Sequence, residues 1–169
     1  AGYEFERESY HDVQDNNLPA SQRIRTETSI QQDANAVYFQ NQAAFLGRRL
    51  QVLVSGRAQM FSLNRPVFLA AGVTNQYEQL PIAAPRKALT ADLSLSYFIG
   101  ASQTKLRAHL GNAYRAPALY ERFGGGFSTI QSTGQLVFSP WGDPSLRPDR
   151  YNSFDAGVDQ YVWRDRVRV

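Results

Sequence analysis

Apolar and polar residues alternate along much of this chain with a period of two, and this alternation constrains the fold more than any other feature of the sequence. From residue 37 onwards, one parity carries apolar side chains, namely Val37, Phe39, Ala43 and Phe45. The other parity carries Tyr38, Gln40 and Gln42. Successive side chains of a β-strand point to opposite faces, so the pattern predicts a strand with one apolar face.

The same alternation returns in pairs of segments that short turns connect. After Leu46–Arg49 it resumes through residues 50–60, and the turn Ile99–Ser102 connects residues 91–97 to residues 106–110. A third pair begins near Tyr151 and turns at Trp163–Arg166 into a strand that starts at Val167. Turns of this length suit β-hairpins.

Long polar segments rich in Gly and Pro separate these hairpins, at about residues 9–28, 62–87 and 115–150. In a soluble sandwich, turn lengths would vary at both ends of the strands. Short turns at one end and long loops at the other are typical of outer-membrane barrels. The sequence therefore predicts an all-β fold, an antiparallel transmembrane β-barrel segment of about seven strands with short periplasmic turns and long extracellular loops.

Aromatic side chains fall near both ends of the predicted strands. Those beside the short turns are Phe45, Tyr97, Phe98, Tyr161 and Trp163. Those toward the loops are Tyr38, Phe61 and Tyr114. Two interfacial girdles would have this distribution, although aromatic residues are also common in strands of every kind.

Composition excludes several classes of function. The chain has 169 residues, no cysteine and a formal net charge of +3. Thiolate zinc sites, disulfide frameworks and thiol catalysis are therefore absent, and there is no basic stripe for nucleic acid. Because His11 and His109 are the only imidazoles, we expect neither a metal site nor a cofactor. The longest purely apolar run, Val67–Ala71, is too short for a membrane helix.

One pair of titratable residues is predicted to meet on the polar face. A two-residue turn at Gly100–Ala101 would place Asp92 opposite His109, and a carboxylate beside an imidazole could form a general-base pair. We favour a lumenal hydrogen bond instead, because no activated nucleophile or oxyanion feature is recognisable nearby. The same reasoning across the first hairpin places Tyr38 opposite Arg57.

The longest loop contains Tyr114-Arg-Ala-Pro-Ala-Leu-Tyr-Glu-Arg-Phe-Gly124. Pro117 followed by Ala-Leu-Tyr-Glu predicts one short turn of helix. Gly124–Gly126 should break regular structure and form a flexible tip. Residues 123–142 are predicted to form a loop with at most short extensions of the flanking strands, and residues 141–150 a stiff extended turn.

Three segments of the sequence resemble motifs of a known protein family. They are Lys105-Leu-Arg-Ala-His-Leu-Gly-Asn-Ala-Tyr-Arg-Ala-Pro117 with Leu119-Tyr-Glu121, then Gly142-Asp-Pro-Ser-Leu-Arg-Pro-Asp149, then Ser153-Phe-Asp-Ala-Gly-Val158. In this order they resemble the barrel of a TonB-dependent outer-membrane receptor. Asp143 stands where that family usually has Asn, while Asp149 and Asp155 stand where it usually has Glu. The resemblance covers most of the chain and is strongest from residue 88 to 163.

The resemblance implies energised import of a bulky, scarce ligand, such as a ferric siderophore, cobalamin or a related chelate. It implies a bacterial outer-membrane location, contact with lipid and with the TonB energy-coupling complex, and no enzymatic activity. Such a barrel has about 22 strands and encloses a plug. Residues 1–169 would be part of that barrel, without the plug, the N-terminal TonB-contacting segment or the C-terminal closing strand. Because the sequence begins in what resembles a strand, with no leader, we expect an excised part of a longer protein.

Ligand contact in such a receptor would come from side chains of the long loops. The candidates, aromatic faces and Arg forks that suit large polar or anionic chelates, are Tyr114, Arg115, Tyr120, Arg122, Phe127 and Trp141. In the alternative interpretation Tyr114 and Tyr120 pack the loop or join a girdle, and Trp141 caps the Pro-rich turn. The two arginines would then pair with Glu121, Asp143 or Asp149.

Three other functions remain open from the sequence. An outer-membrane adhesin or structural barrel would share the strand pattern. A membrane-barrel hydrolase would use Asp92 and His109. A soluble β-sandwich binding module would fold without detergent.

Overall fold

The computed structural model describes residues 1–64, 66–162 and 167–168. Its strands and its one short α-helix follow in chain order: β1 (Gly2–Asp15), β2 (Arg25–Phe45), β3 (Leu50–Leu63), β4 (Val67–Ala71), β5 (Ala88–Ile99), β6 (Thr104–Arg115), α1 (Leu119–Phe123), β7 (Gly125–Thr129), β8 (Leu136–Pro140), β9 (Asp149–Val162) and β10 (Val167–Arg168). A single 3₁₀ turn covers Gln76–Gln79. No helix among the described residues is long and apolar enough to cross a membrane.

Most strands belong to one antiparallel sheet, in the order β1-β2-β3-β5-β6-β9-β10, and β4 adds an eighth strand by pairing with β2. The strands β7 and β8 form a separate hairpin. The prediction of an all-β antiparallel sheet with about seven strands along its path is confirmed. The two sheets of a β-sandwich are not formed by the described residues, so that alternative is wrong.

The two short turns that the structure describes connect the strands that the sequence pairs. Leu46–Arg49 joins β2 to β3 and leaves Tyr38 opposite Arg57, as predicted. The turn between β5 and β6 spans residues 100–103, so the predicted two-residue turn is wrong, and Ser94 instead of Asp92 lies directly opposite His109. A shift of two residues keeps every side chain on its predicted face. The predicted turn Trp163–Arg166 lies outside the described residues.

One face of the sheet carries a continuous apolar belt. Its large side chains remain exposed: Val37, Phe39, Phe45, Val54, Met60, Leu89, Leu95, Tyr97, Leu106, Leu110, Phe154 and Val158. They occupy alternate positions and follow one another across the strand register. A belt of this kind on the outside of a barrel faces lipid.

The apolar belt ends along a straight row of the register. Phe5, Asn35 and Met60 are cross-strand partners, and one step further the partners are Arg7, Asp33 and Ser62. Beyond the row of Phe5, Asn35 and Met60, strand β2 carries only polar side chains on this face, namely Asp33, Gln31, Ser29, Glu27 and Arg25. The row therefore marks the outer border of the membrane-facing zone.

Strands β1 and β2 continue well past this border. Strand β2 has 21 residues, whereas a tilted membrane-spanning strand needs about 9–11. The predicted loop at about residues 9–28 is therefore wrong, because β1 runs to Asp15 and β2 starts at Arg25. Both faces of this part are largely polar, so the chain remains paired although its apolar alternation has ended.

The remaining long loops fold onto the inner face of this extension. A small buried core joins Ile30 of β2 to four loop residues, namely Tyr77, Leu119, Phe123 and Phe138. The predicted helical turn is confirmed as α1. The flexible tip at Gly124–Gly126 and the plain loop over residues 123–142 are wrong, because this segment forms the β7–β8 hairpin. Glycine is needed there since a Cβ on Gly125 would lie 2.2 Å from the Phe138 ring.

Candidate functional site

The candidate site lies at the mouth of the sheet, where the inward-folded loops meet the lumenal ends of β3 and β6. Tyr114, at the end of β6, stacks on Phe61 of β3 with ring centroids 5.8 Å apart. Its hydroxyl donates to the Arg86 carbonyl oxygen at 2.8 Å. Tyr114 and Phe61 both line the lumenal cavity described below, so their predicted place in a lipid-facing girdle is wrong.

Arg115 forms ion pairs inside the loop cluster, that is, the segments between β3 and β5 and between β6 and β9 that fold onto the inner face of the sheet. Its guanidinium donates to Glu121 at 2.6 Å and to Asp149 at 3.3 Å. The Glu121 carboxylate also accepts the Ala118 backbone N–H at 2.9 Å at the start of α1. That backbone bond and the Arg115 guanidinium together hold the pKa of Glu121 below its ordinary value. These are the carboxylates that the alternative interpretation assigned to Arg115.

Tyr120 and Trp141 form an exposed aromatic pair. Their ring centroids are 6.4 Å apart, and Tyr10 of β1 meets Tyr120 edge-on at 6.2 Å. Tyr120 is 57% exposed and Trp141 58% exposed. Desolvation by burial, followed by the charge of Asp12, raises the pKa of Tyr10 to about 12. The structure therefore brings two of the six candidate side chains together on an accessible surface.

Arg122 and Phe127 lie inside the loop cluster. Arg122 is only 3% exposed. Its Nη2 donates to the Ala83 oxygen at 2.7 Å and the Pro144 oxygen at 3.0 Å, and burial lowers the pKa of the guanidinium. Phe127 is half-buried in β7, opposite Phe138. The Arg122 donors thus tie two loops together, and its predicted pairing with Asp143 is not the direct contact that forms.

A cavity of about 510 Å³ lies between the inner face of β1–β3 and the loop that follows β6. Its lining residues are Glu6, Glu8, Gln32, Ala34, Arg57, Gln59, Phe61, Tyr114, Ala116, Pro117 and Ala118. The Arg57 guanidinium makes two hydrogen bonds to the Glu4 carboxylate, at 2.9 and 3.1 Å. Of the six predicted ligand-contacting residues, Tyr114 alone lines this cavity.

Sequence reasoning missed the carboxylates of β1. Glu4, Glu6 and Glu8 alternate in the sequence and face the lumen, because their partners on β2 are Ala36, Ala34 and Gln32. Their two-residue spacing was visible from the start. Tyr3 and Phe5 on the other parity predict a strand here, but nothing in the sequence alone shows which strand pairs with it or that a cavity forms beside its carboxylates.

A cluster of polar side chains around His109 lies on the lumenal face, nearer to the short turns than the cavity is. His109 Nε2 contacts Asp92 Oδ2, and its Nδ1 lies 2.9 Å from Asp155 Oδ2. The predicted contact between Asp92 and His109 is therefore present, diagonally across the register. Both ring nitrogens engage carboxylates, so neither is placed to take a proton from the hydroxyl of Ser94 opposite. The cluster fits the lumenal hydrogen bond better than a hydrolase pair.

The geometry of the described residues shows no group of three or more His, Cys, Asp or Glu side chains that could hold a metal ion. Comparison with protein families matches the chain to the model described as TonB dependent receptor-like, beta-barrel, over residues 1–168. Comparison with curated proteins gives no match. Comparison with solved structures gives none either.

Proposed function

Because the chain belongs to the TonB-dependent receptor β-barrel family, we propose that it forms part of the wall of an outer-membrane transporter. That family consists of transporters and not of enzymes. The observation that carries the proposal is the family match over residues 1–168, and the apolar belt on one face of the sheet supports it independently. The rest of the barrel, a plug and a TonB-contacting segment would belong to the same receptor outside residues 1–169.

The transported ligand is proposed to be bulky and scarce, a ferric siderophore, cobalamin or a similar chelate. The loops support this role because they fold inward over the lumenal face instead of extending outward. Their packed core of Tyr77, Leu119, Phe123 and Phe138 would hold the mouth in one shape before ligand arrives. Preorganised contacts of this kind reduce the entropy cost of binding.

Among the candidate residues, we propose that Tyr114, Tyr120 and Trp141 contact the ligand. Tyr120 and Trp141 present exposed aromatic faces beside each other, and Tyr114 lines the cavity below the loops. Arg115 would contact the ligand by giving up its ion pair with Glu121 or with Asp149 for one with the ligand. Arg122 and Phe127 would support these residues from inside the loop cluster.

The partners would be those of such a receptor. Lipid of the bacterial outer membrane would cover the apolar belt. Without such a cover, side chains of the belt such as Phe154 are exposed, Phe154 by 73%. The TonB complex would supply energy through the part of the receptor outside this chain. An adhesin or structural barrel is the remaining alternative, and nothing in the family match favours it.

Uptake by cells tests the proposal. Cells that lack the receptor, and cells that produce it with or without TonB, are given a radiolabelled ferric hydroxamate siderophore and radiolabelled cobalamin. We expect uptake of one of these chelates to require both the receptor and TonB. A receptor that reaches the outer membrane but raises uptake of neither, and mediates cell adhesion, would favour the adhesin.

Point variants in the same assay test the ligand residues. Tyr120→Ala and Trp141→Ala should raise the KM for uptake about tenfold. Tyr151→Ala is the matched control, because Tyr151 is an equally exposed aromatic residue of β9. An equal effect of all three variants would contradict the assignment.

A further inference from the structure

The cavity at the mouth owes part of its space to Ala34, a small side chain that lines it. Ala34 and Ala36 occupy neighbouring inward positions of β2, and both are buried. Their register partners on the flanking strands are large, with Glu6 and Phe61 beside Ala34 and with Glu4 and Gln59 beside Ala36. The missing side-chain volume on the middle strand therefore leaves a recess walled by β1 and β3.

The charge of this recess is negative. Three carboxylates, those of Glu4, Glu6 and Glu8, stand along the inner face of β1, and among the described residues that line the recess Arg57 supplies the one guanidinium. Arg57 is already bound through two hydrogen bonds to Glu4. Glu8 accepts the Leu119 backbone N–H at 3.0 Å through one oxygen. The Glu6 carboxylate makes no hydrogen bond or ion pair with any described side chain, although its charge acts on Arg57.

A buried acceptor stands in the same recess. Gln32 lies directly opposite Glu8, is 5% exposed and lines the cavity. Its Oε1 is buried and has no hydrogen-bond partner among the described residues. An unsatisfied buried carbonyl oxygen costs about 1–3 kcal/mol, which a bound donor would recover.

The other walls of the recess are apolar. Phe61 and Tyr114 stack on one side, and Pro117 lies with Ala116 and Ala118 in the segment above. The Tyr114 hydroxyl is engaged by the Arg86 carbonyl, so the ring and not the hydroxyl is offered to the recess. These surfaces suit methylene groups.

We infer that this recess binds a protonated primary amine on an aliphatic stem, carried by the imported ligand. An ammonium group has three donors and no acceptor, which matches the acceptors of Glu6, Glu8 and Gln32. A divalent metal ion fits less well, because the described residues hold no group of three metal-binding side chains. The inference rests on the proposed transport function and narrows its ligand to chelates that carry a free amine.

Calorimetric titration of the intact, detergent-purified receptor tests the inference. The probe is 1,4-diaminobutane, and 1,4-butanediol is its uncharged control. We expect the diamine to bind and the diol to show no heat of binding. Glu6→Gln removes a recess charge and Ala34→Leu fills the space without changing charge, so each should weaken binding at least about tenfold. Glu27→Gln, on the outer face of β2, is the matched charge control.

The possible results separate this inference from the proposed function. Loss of binding in Glu6→Gln and Ala34→Leu, with Glu27→Gln unchanged, supports the recess as the amine site. No binding of the diamine, equal binding of the diol, or equal effects of all three variants would overturn it. TonB-dependent uptake of a chelate by cells that produce the same receptor would then leave the transport function standing.

Discussion

At the scale of single residues, Tyr77 connects the loop before β5 to the loop after β6. It is 1% exposed, its hydroxyl donates to the Gly124 oxygen at 2.5 Å, and it accepts the Gly142 N–H at 3.1 Å. Its own backbone N–H is held by the Asn75 side chain at 3.0 Å. One side chain thus determines how two loops sit on the inner face of the sheet.

Replacing Tyr77 by Phe keeps the ring and removes both hydroxyl hydrogen bonds. We expect the loop cluster to lose about 1 kcal/mol of local stability, because the Gly124 oxygen loses its hydroxyl donor and the Gly142 N–H keeps only its bond to that oxygen at 2.9 Å. Hydrogen exchange of residues 116–142 in the intact receptor measures this as faster exchange. Tyr151→Phe, at an exposed position of β9, should leave that exchange unchanged, and equal acceleration by both variants would contradict the role of Tyr77.

The loop cluster should also respond to pH through Glu121. The Ala118 N–H, and then the Arg115 guanidinium, lower the pKa of Glu121 in the fold. The ionised Glu121 carboxylate therefore stabilises the loop cluster fully above about pH 4.5, and this stabilisation is lost as the pH falls through the lowered pKa. Tryptophan fluorescence of the intact receptor, with that of a Trp141→Phe variant subtracted, should therefore change reversibly between pH 5 and pH 3. Glu121→Gln should remove most of that change, and an unaltered titration would contradict the assignment.

The residues of the site show how far sequence reasoning reaches. It predicted the contact of Asp92 with His109, since parity alone decides which face a side chain occupies. It missed Asp155, the second partner of His109, because the register of β6 with β9 is set by a long connection that no short turn defines. It likewise had no means of placing Gln32 and Glu6 in one recess before β1 was paired with β2.

At the scale of elements, the hairpins with short turns were predictable and the extracellular ends were not. The boundaries at Leu46–Arg49 follow from the apolar alternation on both sides. Above the row of Phe5, Asn35 and Met60 the outward face of β1 and β2 becomes largely polar, so the regular alternation stops while the backbone pairing continues. Strand length beyond the membrane therefore depends on cross-strand hydrogen bonds, which leave little trace in hydropathy.

An arginine placed on each face of β5 tests which face meets lipid. Leu93 and Ser94 are neighbours near the middle of this strand, on the belt and on the lumenal face. Leu93→Arg should destabilise the assembled receptor by about 2–4 kcal/mol, because a charge in mid-bilayer is poorly solvated. Ser94→Arg should lower the free energy of unfolding much less, because Ser94 faces the lumen. Urea unfolding in lipid vesicles measures both variants, and an equal loss would contradict the assignment of faces.

At the scale of the whole molecule, the described sheet ends in β1 on one side and β10 on the other. An open sheet with an exposed apolar belt invites pairing with further strands and coverage by lipid. If the chain is part of the wall of a closed barrel in the outer membrane, neighbouring strands pair with the open edges and lipid covers the apolar belt. The family match gives the same architecture from an independent source.

Cysteine labelling in intact cells tests this orientation most directly, because residues 1–169 contain no cysteine and the receptor without an added cysteine supplies the background signal. Ser21→Cys lies in the β1–β2 loop and Ala101→Cys in the β5–β6 turn, and both positions are exposed. A membrane-impermeant maleimide added to cells that produce the receptor should label position 21 at once. It should label position 101 only after the outer membrane is permeabilised. Equal labelling of both positions in intact cells would contradict a barrel wall that spans the outer membrane.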